Sequence, residues 1–130
     1  MGPSNEVLAE WPHLGVAGLD PTQVAALREL GILDAVVELF VAQIGPTQAA
    51  LTVALVAHDW VQIRDMAHRL GGAAVQVGAI VLAARCRAVE DLVEEGDTAA
   101  AVDGVQAVSS MLPAVIAALE VERAEGSWRA

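Results

Sequence analysis

Ile63, Met66, Leu70, Ala73 and Val77 recur at intervals of three and four residues, which is the period of a helix and not of a strand. Similar apolar stripes run along four other segments, with only short turn signals between them. A chain patterned in this way must bury several helical faces against one another. Hydrophobic residues make up 55 % and aromatic residues 3 %, and alanine, valine and leucine dominate. Small side chains favour closely packed helices, whereas a sheet would need β-branched and aromatic runs between turns. The length of 130 residues suits one domain with a true core and is too short for two.

Residues 1–19 read as an arm or linker punctuated by Pro3, Pro12, Gly15 and Gly18. Asp20 then caps a short helix, Pro21 suits its first position, and Gln23 is placed to complete a capping box. Leu19 and Val24 have the spacing of a hydrophobic staple, and Gly31 ends the helix. A second helix is expected from Asp34 to about Ala57, with Val36, Val37, Leu39, Phe40, Ile44, Leu51 and Leu55 inward. Gly45-Pro46 should kink it. Asp59 caps a third helix that ends near Gly78. A fourth runs from about Ala79 to Glu95, with Ile80, Leu82, Ala83, Cys86, Val89 and Val93 inward and a charged outer side.

The fifth helix begins near Thr98 and extends to about Ala124, with Val102, Val105, Val108, Leu112, Ile116 and Leu119 as its stripe. Pro113 should bend or break it, and residues 126–130 form a tail without periodicity. Short loops between long helices make neighbours antiparallel. The expected architecture is therefore all-α: an up-and-down four-helix bundle over residues 20–125, with a short N-terminal helix across one end.

The formal net charge is −10 and all seven basic residues are arginines, which argues against nucleic-acid binding. The balance fits a soluble, monomeric cytoplasmic domain that meets protein partners through a restricted surface. A single cysteine, Cys86, excludes an internal disulfide and a cysteine-rich zinc site. The longest uncharged stretches, such as Gly71–Ala84, are expected to fall short of the roughly 20 residues of a membrane span. The N-terminus has neither the basic nor the apolar region of a signal peptide.

His68 stands on the third helix opposite its apolar stripe. At ~100° per residue it shares a face with Val61, Arg64, Asp65, Gly71, Gly72 and Val75, so the imidazole should point to solvent. Glycine inside a helix costs about 1 kcal/mol relative to alanine. Gly71-Gly72 therefore implies a close approach to the backbone, by a neighbouring helix or by a ligand. Val61 and Val75, with Asp65 between them, give a partly apolar rim around a polar centre, the anatomy of a protein docking surface.

Rival chemistries fail on spacing. Gly71–Gly78 lacks the Gly-Lys-Ser/Thr of a phosphate-binding loop and no strand precedes it. His13, His58 and His68 fall on different elements, so no metal site is expected. Cys86 lies in an apolar stripe, which makes it a small core residue and not the partner of a catalytic pair. His58 reads as a cation at the end of the second helix, and Trp11 and Trp60 read as packing anchors.

The run Ala67-His68-x-Leu70-x-Gly72-x-Ala74-x-x-x-Gly78-Ala79-x-x-Leu82-x-x-x-Cys86-x-x-Val89-Glu90 closely resembles the signature of histidine-containing phosphotransfer domains. Gly18-Leu19-Asp20-Pro21, Leu39-Phe40 and Asp59-Trp60 extend the resemblance over residues 15–120. It implies a four-helix bundle that carries a phosphoryl group on one exposed histidine, here His68, in a multistep two-component phosphorelay. Such a domain has no nucleotide site or cofactor of its own. Its partners are receiver domains, which supply the aspartate and the Mg²⁺, and it occurs free or at the cytoplasmic end of a hybrid sensor histidine kinase.

One position departs from the pattern. The family usually has lysine three residues after the histidine, where this chain has Gly71, and the chain contains no lysine. Arg64 or Arg69 is the expected substitute for that charge, the alternatives being slower transfer or a cation supplied by the partner. The departure also admits a docking adaptor that does not transfer, and the phosphorylatable domain of a chemotaxis-type kinase shares the bundle.

Overall fold

The computed structural model describes residues 14–129, with side chains to residue 125. After a 3₁₀ turn at Val16–Gly18 come five helices: α1 (Pro21–Glu29), α2 (Leu33–Ala57), α3 (Trp60–Gln76), α4 (Ile80–Glu94) and α5 (Thr98–Arg129). Helices α2 to α5 each pack on the next, and α5 returns to α2, which closes a four-helix bundle around one core. The described residues contain no strand, only an isolated bridge between Leu19 and Ala79.

The turns follow the local chemistry. Asp59 Oδ1 accepts from the Gln62 amide at 3.1 Å and Asp97 Oδ1 from the Ala100 amide at 3.2 Å, so α3 and α5 each start on an aspartate cap. Asp20 caps α1 through the Thr22 amide at 3.0 Å. Gln23 does not complete a capping box. Its Nε2 reaches across to donate at 2.6 Å to the Val75 carbonyl in the last turn of α3, and that carbonyl also accepts from the Gly78 amide at 3.1 Å. The Asp20 amide instead donates to the Gly78 carbonyl at 2.9 Å. Leu19 and Val24 are both buried, consistent with the staple.

Phe40, Leu51, Ile63, Leu82, Leu112 and Leu119 are the largest fully buried side chains, one or more from each long helix. Three inward assignments shift. Leu39 is exposed, Val115 replaces the half-buried Ile116 in the α5 stripe, and Ala67 and Ala74 join the buried face of α3. At the far end, Arg28 pairs with Glu122 at 2.6 Å and Arg123 with Asp34 at 2.6 Å, which tie α1 and α2 to α5.

Neither proline ends its helix. Helix α2 continues through Pro46 and α5 through Pro113, and α5 runs on to Arg129 where a tail was expected. Both prolines are exposed, so the carbonyl that each would crowd can tilt toward water without leaving the helix. Glycine at 126 weakens a helix without stopping it.

The chain's longest uncharged run is Leu39–Ala57, not Gly71–Ala84. By length and composition alone, Leu33–Ala57 and Thr98–Glu125 would suffice to cross a membrane. Each also supplies core residues of the bundle, among them Phe40 and Leu51 from α2 and Leu112 and Leu119 from α5.

Candidate functional site

Helix α3 is strongly amphipathic, and its rigid backbone presents His68 to solvent with 78 % of the side chain exposed. The ring is not free to turn. Nδ1 lies 2.9 Å from Oε1 of Glu90 on α4, whose side chain is only 21 % exposed. An ionised carboxylate can only accept, so this contact places the imidazole proton on Nδ1. Nε2 is left with its lone pair facing outward. Such an arrangement is a positioned nitrogen nucleophile, and the pairing recurs wherever a carboxylate fixes a histidine tautomer for attack.

His68 forms the ridge between two grooves. One, of about 480 Å³, runs between α3 and α4 and is lined by Gly71, Val75, Ala83, Arg87 and Glu90. The other, of about 510 Å³, runs between α2 and α3 and is lined by Phe40, Gln43, Thr47, Arg69 and Gly72. Val61 and Val75 are exposed on either side of the histidine along α3. Asp65 is engaged with its neighbour Arg64 at 3.7 Å, and both are about half exposed.

The two glycines have different surroundings. A Cβ on Gly72 would meet nothing within 4 Å, so this position gives open clearance beside the ring. A Cβ on Gly71 would lie 3.2 Å from the Cys86 Cβ. Gly71 therefore serves the close approach of α3 to α4, and it also lines the groove beside His68. The same contact seals Cys86, which is fully buried.

Burial, with a smaller contribution from Glu90, pushes the Cys86 thiol up to about 12. The thiol is therefore expected to resist thiol-specific reagents at neutral pH until the bundle unfolds, which a reagent titration with and without denaturant checks. The raised value also fixes a sign. Cys86 favours the fold fully below its ordinary value of 9.0, and this contribution is lost as pH climbs toward about 12. The loss of thermal stability over that range should be shallower in Cys86→Ala than in the parent protein.

Arg64 does not line either groove, and Arg69 lines only the α2–α3 side. Two further residues of the site were not singled out from the sequence: Glu90, which reads there as part of the charged outer side of α4, and Arg87. His58 takes the left-handed conformation after α2, with φ 52°, and its ring lies 6.0 Å from that of Trp60, well away from His68 in the chain. Trp60 is partly buried against the core; His13 and Trp11 lie outside the described residues.

The sequence matches the family model of the Hpt domain over residues 35–118, which takes in α3, α4 and most of α2 and α5. The fold is similar to the crystal structure of histidine-containing phosphotransfer protein B from Pseudomonas aeruginosa PAO1, with a TM-score of 0.76 and 25 % identity. That likeness covers 82 % of this chain and 95 % of the other. Comparison with curated proteins finds no match. The match spans well over half of the chain, so the chain belongs to the Hpt domain family, whose members serve phosphotransfer in phosphorelays.

Proposed function

We propose that the protein is a phosphocarrier that takes a phosphoryl group from a receiver-domain aspartate onto Nε2 of His68 and passes it to a second receiver. The observation that carries this reading is the His68–Glu90 contact on an otherwise exposed ring. The Nε2 lone pair attacks phosphorus as the bond to the aspartyl oxygen breaks, and the carboxylate leaves with the electron pair. The ring gains positive charge, which the Glu90 carboxylate beside Nδ1 offsets. Return transfer reverses each step.

Phosphoryl transfer asks mainly for in-line positioning and charge neutralisation. The protein contributes the positioned nucleophile and clearance at Gly72. A receiver contributes the aspartate and its Mg²⁺, so no nucleotide or cofactor is required here. Val61, Asp65 and Val75 form the docking rim. The domain acts as a monomer among cytoplasmic signalling proteins, either free or within a hybrid kinase.

Incubation with phosphorylated receivers should give an acid-labile, base-stable label on the protein. Absence of label with every receiver in the host's set would overturn the carrier reading in favour of a docking adaptor. Labelling by a kinase's ATP-binding domain, with none from receivers, would reassign it as a chemotaxis-type phosphorylatable domain.

A further inference from the structure

We infer that Arg87, on α4, is the cation that meets the phosphoryl oxygens on His68, and that it stands in for the lysine this chain lacks on α3. The inference rests on the phosphocarrier reading and adds a residue to it. A phosphoryl group arriving at Nε2 brings negative charge to a protein of net charge −10, and it arrives beside the carboxylates of Glu90 and Asp91. Without a nearby cation that placement is repulsive.

Position 71 supplies no cation, because glycine has no side chain, and a Cβ added there would sit tightly, 3.2 Å from the Cys86 Cβ in the seam between the two helices. The same seam shows which residue faces the vacant charge. Helices α3 and α4 run antiparallel, with His68 bonded to Glu90 and Gly71 abutting Cys86. Arg87 follows Cys86 in sequence and precedes Glu90 by three residues, so it stands level with Gly71 and one turn from Glu90. Cys86 points into the core, whereas Arg87 is exposed and lines the groove that His68 also lines.

The other two nearby arginines are placed differently. Arg69 is in the groove on the α2 side of the ridge, and Arg64 is engaged with Asp65 at 3.7 Å outside both grooves. The geometry thus moves the charge across the seam, from the helix of the histidine to the helix of its carboxylate. A guanidinium suits the task because its planar donors can bind two phosphoryl oxygens at once.

Phosphoramidate tests this without a receiver whose own cations would mask the effect. The Nε2 lone pair attacks phosphorus, the P–N bond of the protonated donor breaks, and the nitrogen leaves as ammonia with the bonding pair. Arg87→Ala should slow labelling of His68 about tenfold, below the larger losses seen in enclosed sites because this groove is open to water. Arg87→Lys should recover most of the rate, and Arg85→Ala, on another side of α4, should match the parent. The ³¹P resonance of the phosphohistidine should shift in Arg87→Ala, with no change in melting temperature. An unchanged rate and ³¹P shift in Arg87→Ala, with the parent protein labelled normally, would overturn the role of Arg87 alone. Failure of the parent protein to label at all would remove the carrier reading and this inference together.

Discussion

Replacing His68 by glutamine is expected to abolish phosphoryl acceptance outright while leaving the bundle as stable as before. Glutamine is close in size and polar, but its amide nitrogen has a delocalised lone pair and is not a nucleophile. No second group stands ready on that face, because the neighbours along it are Val61, Arg64, Asp65, Gly71, Gly72 and Val75. Stability should change by less than about 1 kcal/mol, since a hydrogen bond from a largely exposed ring contributes little. Thermal melts together with radiolabelled transfer check both halves. Label that persists in the variant would show that the acceptor is another residue.

The second large effect lies far from the chemistry. Gly18→Ala is expected to destabilise the protein by about 3 kcal/mol, from overpacking and from a left-handed backbone that an alanine tolerates poorly. Gly18 has φ +73°, and an added Cβ would fall 2.4 Å from the Val81 Cγ2 and 2.6 Å from its Cβ. Valine is stiff at χ1 and cannot swing aside. The clash would push the segment before α1 off the start of α4 and strain the neighbouring contact between the Asp20 amide and the Gly78 carbonyl. Chemical denaturation checks the magnitude. Phosphoryl transfer by the fraction that remains folded should be little altered.

Periodicity made most of the bundle legible before any coordinates. The stripe through Ile63, Met66 and Leu70 fixed both the inward face of α3 and the outward direction of His68, because a single helix carries that information within itself. What periodicity lacks is the register between helices. Glu90 reads as one more charge on the outer side of α4, and only the antiparallel alignment shows that it reaches His68. The glycine pair, which implies a close approach by a helix or by a ligand, divides for a related reason. Gly71 and Gly72 differ by ~100° around the axis, and that angle sends one into the seam with Cys86 and the other into open space. The rule for helix interiors predicts a kink at Pro46 and a bend or break at Pro113, and exposure at the surface of a packed bundle lets both helices continue past them.

On the proposed function, the single ridge that carries His68 between two grooves would also set the kinetics of the relay. One nucleophile would admit one aspartate at a time, so a donor and an acceptor would not bind together. Exchange would follow a ping-pong order. An excess of unphosphorylated acceptor then competes with the charged donor and throttles flux. Relative abundance and affinity of the receivers, rather than any moving part of the bundle, would decide which way phosphoryl groups run.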